Sequence, residues 1–299
     1  MTLGVNIKTD SLSNNSLRNI FRNIFDKNGH LLLLLDTSYK NYIFDDFFDS
    51  IDVNNIEYIP LGLSKKKSDL FFLKINNLNE LNEIAFNFIE YLELNYHKEN
   101  FEYYVHGFGA TQLVLSTFID YFKKSIVLND SKGDFIFRWY DPRVMIHLEK
   151  ILGLSKVESL LSIFSEWNFI HPLGLYNFKN PNISTKVKKL NSINKFQSMQ
   201  LDDIEIVNLI YREIHKSFYF TPQQILIFLE NGRKEYLLVE YDDLFTYGYY
   251  CCVVNPDFMR HNLIIGKYNE NIKFSKFIEL IDLSVWEKVQ NDLEGDNHG

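Results

Sequence analysis

Apolar positions along the chain recur at two periods, and the alternation between them predicts the order of elements. Leu17, Ile20, Phe21, Ile24 and Phe25 fall at i, i+3, i+4, i+7 and i+8, the stripe of an amphipathic helix, with Gly29 as its stop. The run "HLLLLLDTS" follows, five leucines between His30 and Asp36. It is too short to span a bilayer and reads as a central strand buried on both faces. "NYIFDDFFDS" predicts a short helix, and "IEYIPLG" and "DLFFLKI" predict strands. A helix is expected over 79–95, with Leu81, Ile84, Phe88, Tyr91 and Leu92 on its apolar face; then a strand in "FEYYVHGF" and a helix over 110–124.

The stretch "DFIFRWYDPRVMIHLEKIL", residues 134–152, reads as a strand running straight into a helix. Alternation places Phe135, Phe137 and Trp139 on one face and Ile136, Arg138 and Tyr140 on the other. Asp141 is the expected N-cap, Pro142 the first helical residue, and Gly153 the stop behind Val144, Met145, Leu148, Ile151 and Leu152. "ESLLSIFSEWNFI" reads as one further helical piece. Strands alternating with helices define an α/β N-terminal domain, a mixed sheet flanked by helices, over residues 1–176.

Past Tyr176 the periodicity disappears. "YNFKNPNISTKVKKLNSINK" is polar and rich in Asn and Lys, so residues 177–195 read as a linker. The remainder, 196–299, predicts a mainly α-helical C-terminal domain. It contains a helix over 203–216 and a second in "TPQQILIFLENG", with Thr221 as cap, Pro222 first, Gln224 completing a capping box and Gly232 as stop. "YLLVEYDDLFTYGYYCCVV" fits helix or strand, and a last helix covers about 284–293.

Composition narrows the function classes. Hydrophobic residues make up 46% of the chain and aromatic residues 16%, ample for a packed core. A net charge of -8 argues against nucleic-acid binding, which needs a basic surface. The local clusters Lys65-Lys66-Lys67 and Lys186, Lys188, Lys189 read as solvated loops. Cys251 and Cys252 are adjacent and cannot form a disulfide framework or a four-ligand zinc site by themselves, which suits a reducing cytosol. "MTLGVNIKTDSLSNNS" lacks the apolar core of a secretory signal, so a cytoplasmic protein without a membrane partner is expected.

Catalytic signatures are missing from the sequence. There is no G-x-S-x-G, no G-x-x-x-x-G-K-[ST] and no H-E-x-x-H. "HGFGA" at 106–110 lacks the remainder of a dinucleotide fingerprint and reads as the end of a strand. The histidines are scattered, and the acidic pairs Asp45-Asp46, Asp202-Asp203 and Asp242-Asp243 read as solvated surface or helix caps. No catalytic residue, metal or cofactor is assigned.

One feature breaks the local rules: Arg143 places a cation in the first turn of a helix, where the macrodipole disfavours it. It calls for a carboxylate partner, with Asp141 or a distant acid as candidates. Arg138 and Arg143 either tie the strand and helix ends together or form a ligand or partner site at the carboxyl end of a strand. Spacing alone does not choose between these.

Taken together, "SLRNIFRNIFDKNGHLLLLLDTS", "IPLG", "SDLFFLKI", "YYVHGFG" and above all "FIFRWYDPRVMIHLEKIL" resemble the bacterial type VI secretion effector chaperones, or adaptors (domain-of-unknown-function family 4123). The hallmark of that family is matched by Arg138, Trp139, Tyr140, Asp141, Pro142 and Arg143. The resemblance spans about residues 16–175. It implies a non-catalytic cytoplasmic protein that binds a cognate toxin effector and delivers it to the valine-glycine-repeat spike protein. It transfers no motif to the C-terminal half, which would then contribute to cargo choice, with Tyr247, Tyr249 and Tyr250 as either interface or core. The alternative is an α/β enzyme, a hydrolase or nucleotide-dependent transferase, with its site near His106, Arg138 and Asp141 at the strand carboxyl ends. A third reading is a structural subunit of a larger assembly.

Overall fold

A computed structural model of the 299-residue chain describes residues 4–7, 14–36, 56–60, 70–78, 81–82, 103–130, 133–180, 193–215, 217, 219–268 and 272–295. The chain divides into two compact units, Met1–Asn194 and Lys195–Gly299. The helix expected in "NYIFDDFFDS", most of the one expected over 79–95, and residues 181–192 of the expected linker lie outside the described residues.

The first unit is built on a seven-stranded sheet of order β1-β9-β8-β5-β2-β4-β3. Its strands are β1 (Gly4–Ile7), β2 (Leu31–Asp36), β3 (Ile56–Pro60), β4 (Leu70–Ile75), β5 (Val105–Ala110), β8 (Glu166–His171) and β9 (Gly174–Lys179). The α/β architecture is the expected one, but every described pairing is antiparallel where a mixed sheet was expected. The domain boundary expected at residue 176 falls inside β9, which carries the sheet on to Lys179.

The leucine run is the reason for the layering. β2 lies between β4 and β5, and all six of its residues are buried. Leu31, Leu33 and Leu35 face helix α1 (Asn14–Asn28) in a cluster with Leu17, Phe21 and Phe108. Leu32 and Leu34 take the other face by strand alternation. There Phe72, register partner of Leu34, meets Phe118 and Phe122 of helix α2 (Leu115–Ser125) edge-on, with centroids 5.0 and 4.9 Å away. Phe164 and Trp167 extend this aromatic layer.

"HGFGA" has a packing explanation. Gly107 and Gly109 lie within β5, and a Cβ at Gly107 would strike the Trp167 ring, while one at Gly109 would strike the Glu166 carbonyl. The glycines let β8 and its tryptophan close onto β5, and the motif ends the strand at Ala110, as expected.

Two further expectations are corrected. The strand expected across 134–140 stops at Ile136: β6 (Val127–Asp130) and β7 (Gly133–Ile136) form a separate two-stranded hairpin. Residues 137–140 then turn, with the Trp139 and Asp141 amides donating to the Phe137 and Arg138 carbonyls at 2.8 and 3.0 Å. A straight strand would have put Trp139 and Tyr140 on opposite faces, whereas the turn buries both against Phe122. Helices α3 (Pro142–Leu152) and α4 (Leu154–Leu161) follow, and "SEWNFI" becomes β8 instead of helix. An interior slot of the sheet overrides the helical spacing of that segment.

The second unit is mainly helical, as expected. It comprises α5 (Lys195–Ile214), α6 (Pro222–Glu235), α7 (Tyr241–Val253), a 3-10 turn at Phe258–Arg260, α8 (Phe274–Glu279) and α9 (Leu283–Gly295). Thr221 and Gln224 form the expected capping box. Gly232 does not stop α6, which continues to Glu235; it packs against the Tyr247 ring, a carbon of which would lie 2.8 Å from a Cβ placed there. The ambiguous "DDLFTYGYYCC" is α7, and its Tyr247 belongs to the core. A bidentate pair joins Arg233 to the buried Asp203, Nε–Oδ2 at 3.0 Å and Nη2–Oδ1 at 2.5 Å, tying α6 to α5. No helix among the described residues is long and apolar enough to cross a membrane.

The approach at Gly109 is made by backbone, which cannot rotate away. Gly109→Ala is therefore expected to lower stability by about 3 kcal/mol or more, whereas Gly29→Ala, with open space around it, costs about 1 kcal/mol through its backbone conformation alone. Urea unfolding of the two variants checks the difference.

Candidate functional site

The pieces of sequence that carry the family resemblance meet at one charged joint. Asp36 ends β2, and its amide still pairs with the Tyr104 carbonyl at 2.9 Å. Between these two pairings the register slips: Leu34 faces Gly107 and Leu35 faces Val105, so His106 is the extra residue of a β-bulge. The bulge sets His106 beside Asp36, Nε2 3.5 Å from Oδ2.

Arg138, on the turn after β7, reaches the same carboxylate. Its Nη2 donates to Asp36 Oδ2 at 2.8 Å across a separation of 102 residues. Its guanidinium carbon stands 5.9 Å from the Tyr140 ring centroid, and the His106 ring meets that tyrosine edge-on at 5.1 Å. Burial, with the nearby carboxylates of Asp36 and Asp141, pushes the Tyr140 phenol up to about 12 against the opposing effect of Arg138. The phenol is a neutral hydrogen-bonding group at physiological pH.

Asp141 is the N-cap of α3, as the sequence predicts. Its Oδ1 accepts the Arg143 amide at 3.0 Å, and the Arg143 side chain closes on the same carboxylate, Nε–Oδ1 at 3.0 Å and Nη2–Oδ2 at 2.6 Å. Burial alone would raise the Asp141 carboxyl; the hydrogen bonds and charge of Arg143 outweigh it and hold the group down at about 2. This resolves the anomaly of a cation in the first turn. Arg143 neutralises the buried cap that starts its own helix, and its guanidinium carbon lies 5.5 Å from the Tyr103 ring centroid.

Two further histidines lie around the cap. His147 is one turn along α3 and His171 ends β8, and both are buried. Burial lowers each to about 3, helped for His147 by Lys150 and for His171 by His147. His171 Nδ1 accepts the Leu173 amide at 3.2 Å, while neither ring nitrogen of His147 has a hydrogen-bond partner. No group of three His, Cys, Asp or Glu able to hold a metal occurs among the described residues.

Of the six hallmark residues, Trp139, Tyr140, Asp141 and Pro142 are buried, while the Arg138 and Arg143 side chains keep 39% and 27% exposure. The joint therefore has a buried structural interior and two partly exposed arginine side chains. The expected partner of Arg143 is present, and Arg138 has a distant one. The carboxyl-end location is corrected: β2 and β5 run antiparallel, so Asp36 sits at the end of one strand and His106 near the start of the other. The contribution of Asp36 and His106 is not legible from spacing, because a bulge and a closure across 102 residues bring them to Arg138.

Comparison of the chain with family models, with curated proteins and with solved structures returned no match.

Breaking either ion pair of the joint is expected to cost stability. Asp141→Ala removes a cap and strands Arg143, costing about 3 kcal/mol. Arg138→Ala leaves the largely buried Asp36 carboxylate with His106 at 3.5 Å as its nearer remaining neighbour and costs about 2 kcal/mol, and denaturant unfolding checks both values. Acid is expected to destabilise the fold before the carboxylates titrate. The unfolded chain takes up protons at His147 and His171 near pH 6.5, the folded one only near 3, so stability falls as pH drops through that window. The slope is on the order of 1 kcal/mol per histidine per pH unit. Asp141 adds a further loss between its ordinary range and about 2. His147→Leu should retain more of its neutral-pH stability at pH 5 than the parent, as thermal melts at the two pH values would show.

Proposed function

We propose that this protein is an effector chaperone, or adaptor, of the type VI secretion kind. It binds a cognate toxin effector in the cytoplasm and helps load it onto the valine-glycine-repeat spike protein, without a catalytic step. The observation that carries this reading is the convergence of the resembling segments. The acid closing the leucine strand is bonded by Arg138 of "FRWYDPRV" and has the histidine of "YYVHGFG" 3.5 Å away, three segments far apart in sequence, while Arg143 bonds Asp141 within the last of them. A motif that folds into a single joint is a unit of structure, and its guanidinium edges are groups suited to receiving carboxylates or backbone carbonyls of a bound chain. In this reading the helical unit contributes to cargo choice.

The tagged protein, produced in its native bacterium, should co-purify with a spike protein and one large toxin identified by mass spectrometry. Recovery of the protein alone, at high yield, would sink the adaptor reading. Where the partners are retained, Arg138→Lys, which keeps a cation beside Asp36 but loses the planar fork, should reduce toxin recovery with a smaller drop in melting temperature than Arg138→Ala if the guanidinium edge is the contact. Full recovery with both Arg138→Ala and Arg143→Ala would assign the motif to structure alone.

A further inference from the structure

In the helical unit, the turn between α6 and α7 runs against the preferences that otherwise shape the chain. Leu237 follows the C-cap of α6 with φ of 55°, the one non-glycine residue with positive φ among the described residues. Helices commonly end in this left-handed conformation, and glycine is the residue that adopts it without steric cost. Here a leucine takes it, and its side chain is 64% exposed. Neither the helix end nor the core benefits from that choice.

The next residues repeat the pattern. Leu238 is buried and its amide donates to the Gly232 carbonyl at 3.2 Å, which anchors the turn. Val239 and Tyr241 then point outward at 69% and 42% exposure. A fixed backbone thus presents Leu237, Val239 and Tyr241, with Glu240 between the last two, as exposed residues of one short segment. Local rules broken without a stabilising return are characteristic of functional surface.

The charges around this segment indicate what it would receive. Glu205, Glu240 and Asp242 are exposed, and none of them has an ion-pair partner among the described residues. Glu205 and Asp242 are close enough to Tyr241 for their charges to add to the effect of burial in raising its phenol pKa. The nearby cations are engaged: Lys234 lies 5.8 Å from the Phe196 ring centroid, and Arg260 holds Glu235 at 3.0 Å. Asp242 also favours the first turn of α7, but Glu205, on α5, has no such role.

We propose that the α6–α7 turn, Leu237 to Tyr241, is a docking surface for a basic amphipathic segment of a partner protein. Apolar side chains of the segment would cover Leu237, Val239 and Tyr241, with its Lys or Arg residues facing Glu205, Glu240 and Asp242. The acidic rim disfavours an anionic membrane, and a second copy of the same turn would oppose like charges. The proposal does not depend on the adaptor reading, since the turn can bind such a segment whatever co-purifies with the whole protein.

The test uses the full chain and two labelled model peptides of about five helical turns, one with Leu and Lys faces and its charge-inverted Leu/Glu counterpart, read by fluorescence anisotropy. The Leu/Lys peptide should bind, and raised salt should weaken it, while the Leu/Glu peptide should not bind. Leu237→Gly should raise the melting temperature by relieving the left-handed leucine and still weaken binding; with Val239→Ser added, the loss should reach about tenfold. A variant that is as stable as the parent and binds less well cannot be dismissed as misfolded. Unchanged affinity in the double variant, or equal binding of both peptides, overturns the proposal. So does failure of both peptides to bind, whether the turn instead proves to bind phosphatidylglycerol vesicles or to drive self-association lost in the double variant.

Discussion

A strand of five leucines has to be covered on both faces, and the first unit is arranged to do so. One face of β2 takes α1, and the other takes the aromatic layer of Phe72, Phe118, Phe122, Phe164 and Trp167. Full burial also requires a neighbour on each edge, supplied by β4 and β5. The close approach of β8 to β5 at Gly107 and Gly109 brings Trp167 into that layer. Removal of apolar area from water is the dominant favourable term, and here it is concentrated around one strand.

The charged joint depends on where that strand stops. Asp36 is the first polar residue after the leucines, a carboxylate largely buried at the end of a hydrophobic core. Such a group is tolerated only with partners. The bulge at His106 and the turn that carries Arg138 supply them, and Asp141 meets the same requirement through Arg143. The two guanidinium groups therefore stabilise buried acids on one side and meet solvent on the other, which gives the joint both a structural role and an accessible edge.

In the helical unit, close packing sets different terms. Gly248 on α7 admits Leu229 and Ile210 so near that a Cβ there would lie 2.6 and 2.7 Å from their methyl groups. The Asp203–Arg233 pair fixes α5 against α6, and the Asp243 carboxylate accepts the Ser275 amide at 2.9 Å, setting the start of α8. Against this well-satisfied interior, the exposed Leu237, Val239 and Tyr241 stand out by contrast.

Elements whose signals are local are readable from the chain before any fold is known. Examples are the stripe of α1, the doubly buried leucine strand, the Asp141 cap with Pro142 behind it, and the Thr221–Gln224 capping box. Each rests on residues within a few positions of one another, where backbone geometry leaves few choices. The sequence also posed the right question about Arg143 and named Asp141 as a candidate partner. Packing settles the rest: that β7 ends at Ile136 so that Trp139 and Tyr140 can both be buried, that "SEWNFI" fills a sheet position, that Gly232 serves packing instead of termination, and that Asp36 and His106 join Arg138. These outcomes depend on contacts between distant segments, whose energies exceed local propensities of a few tenths of a kcal/mol per residue.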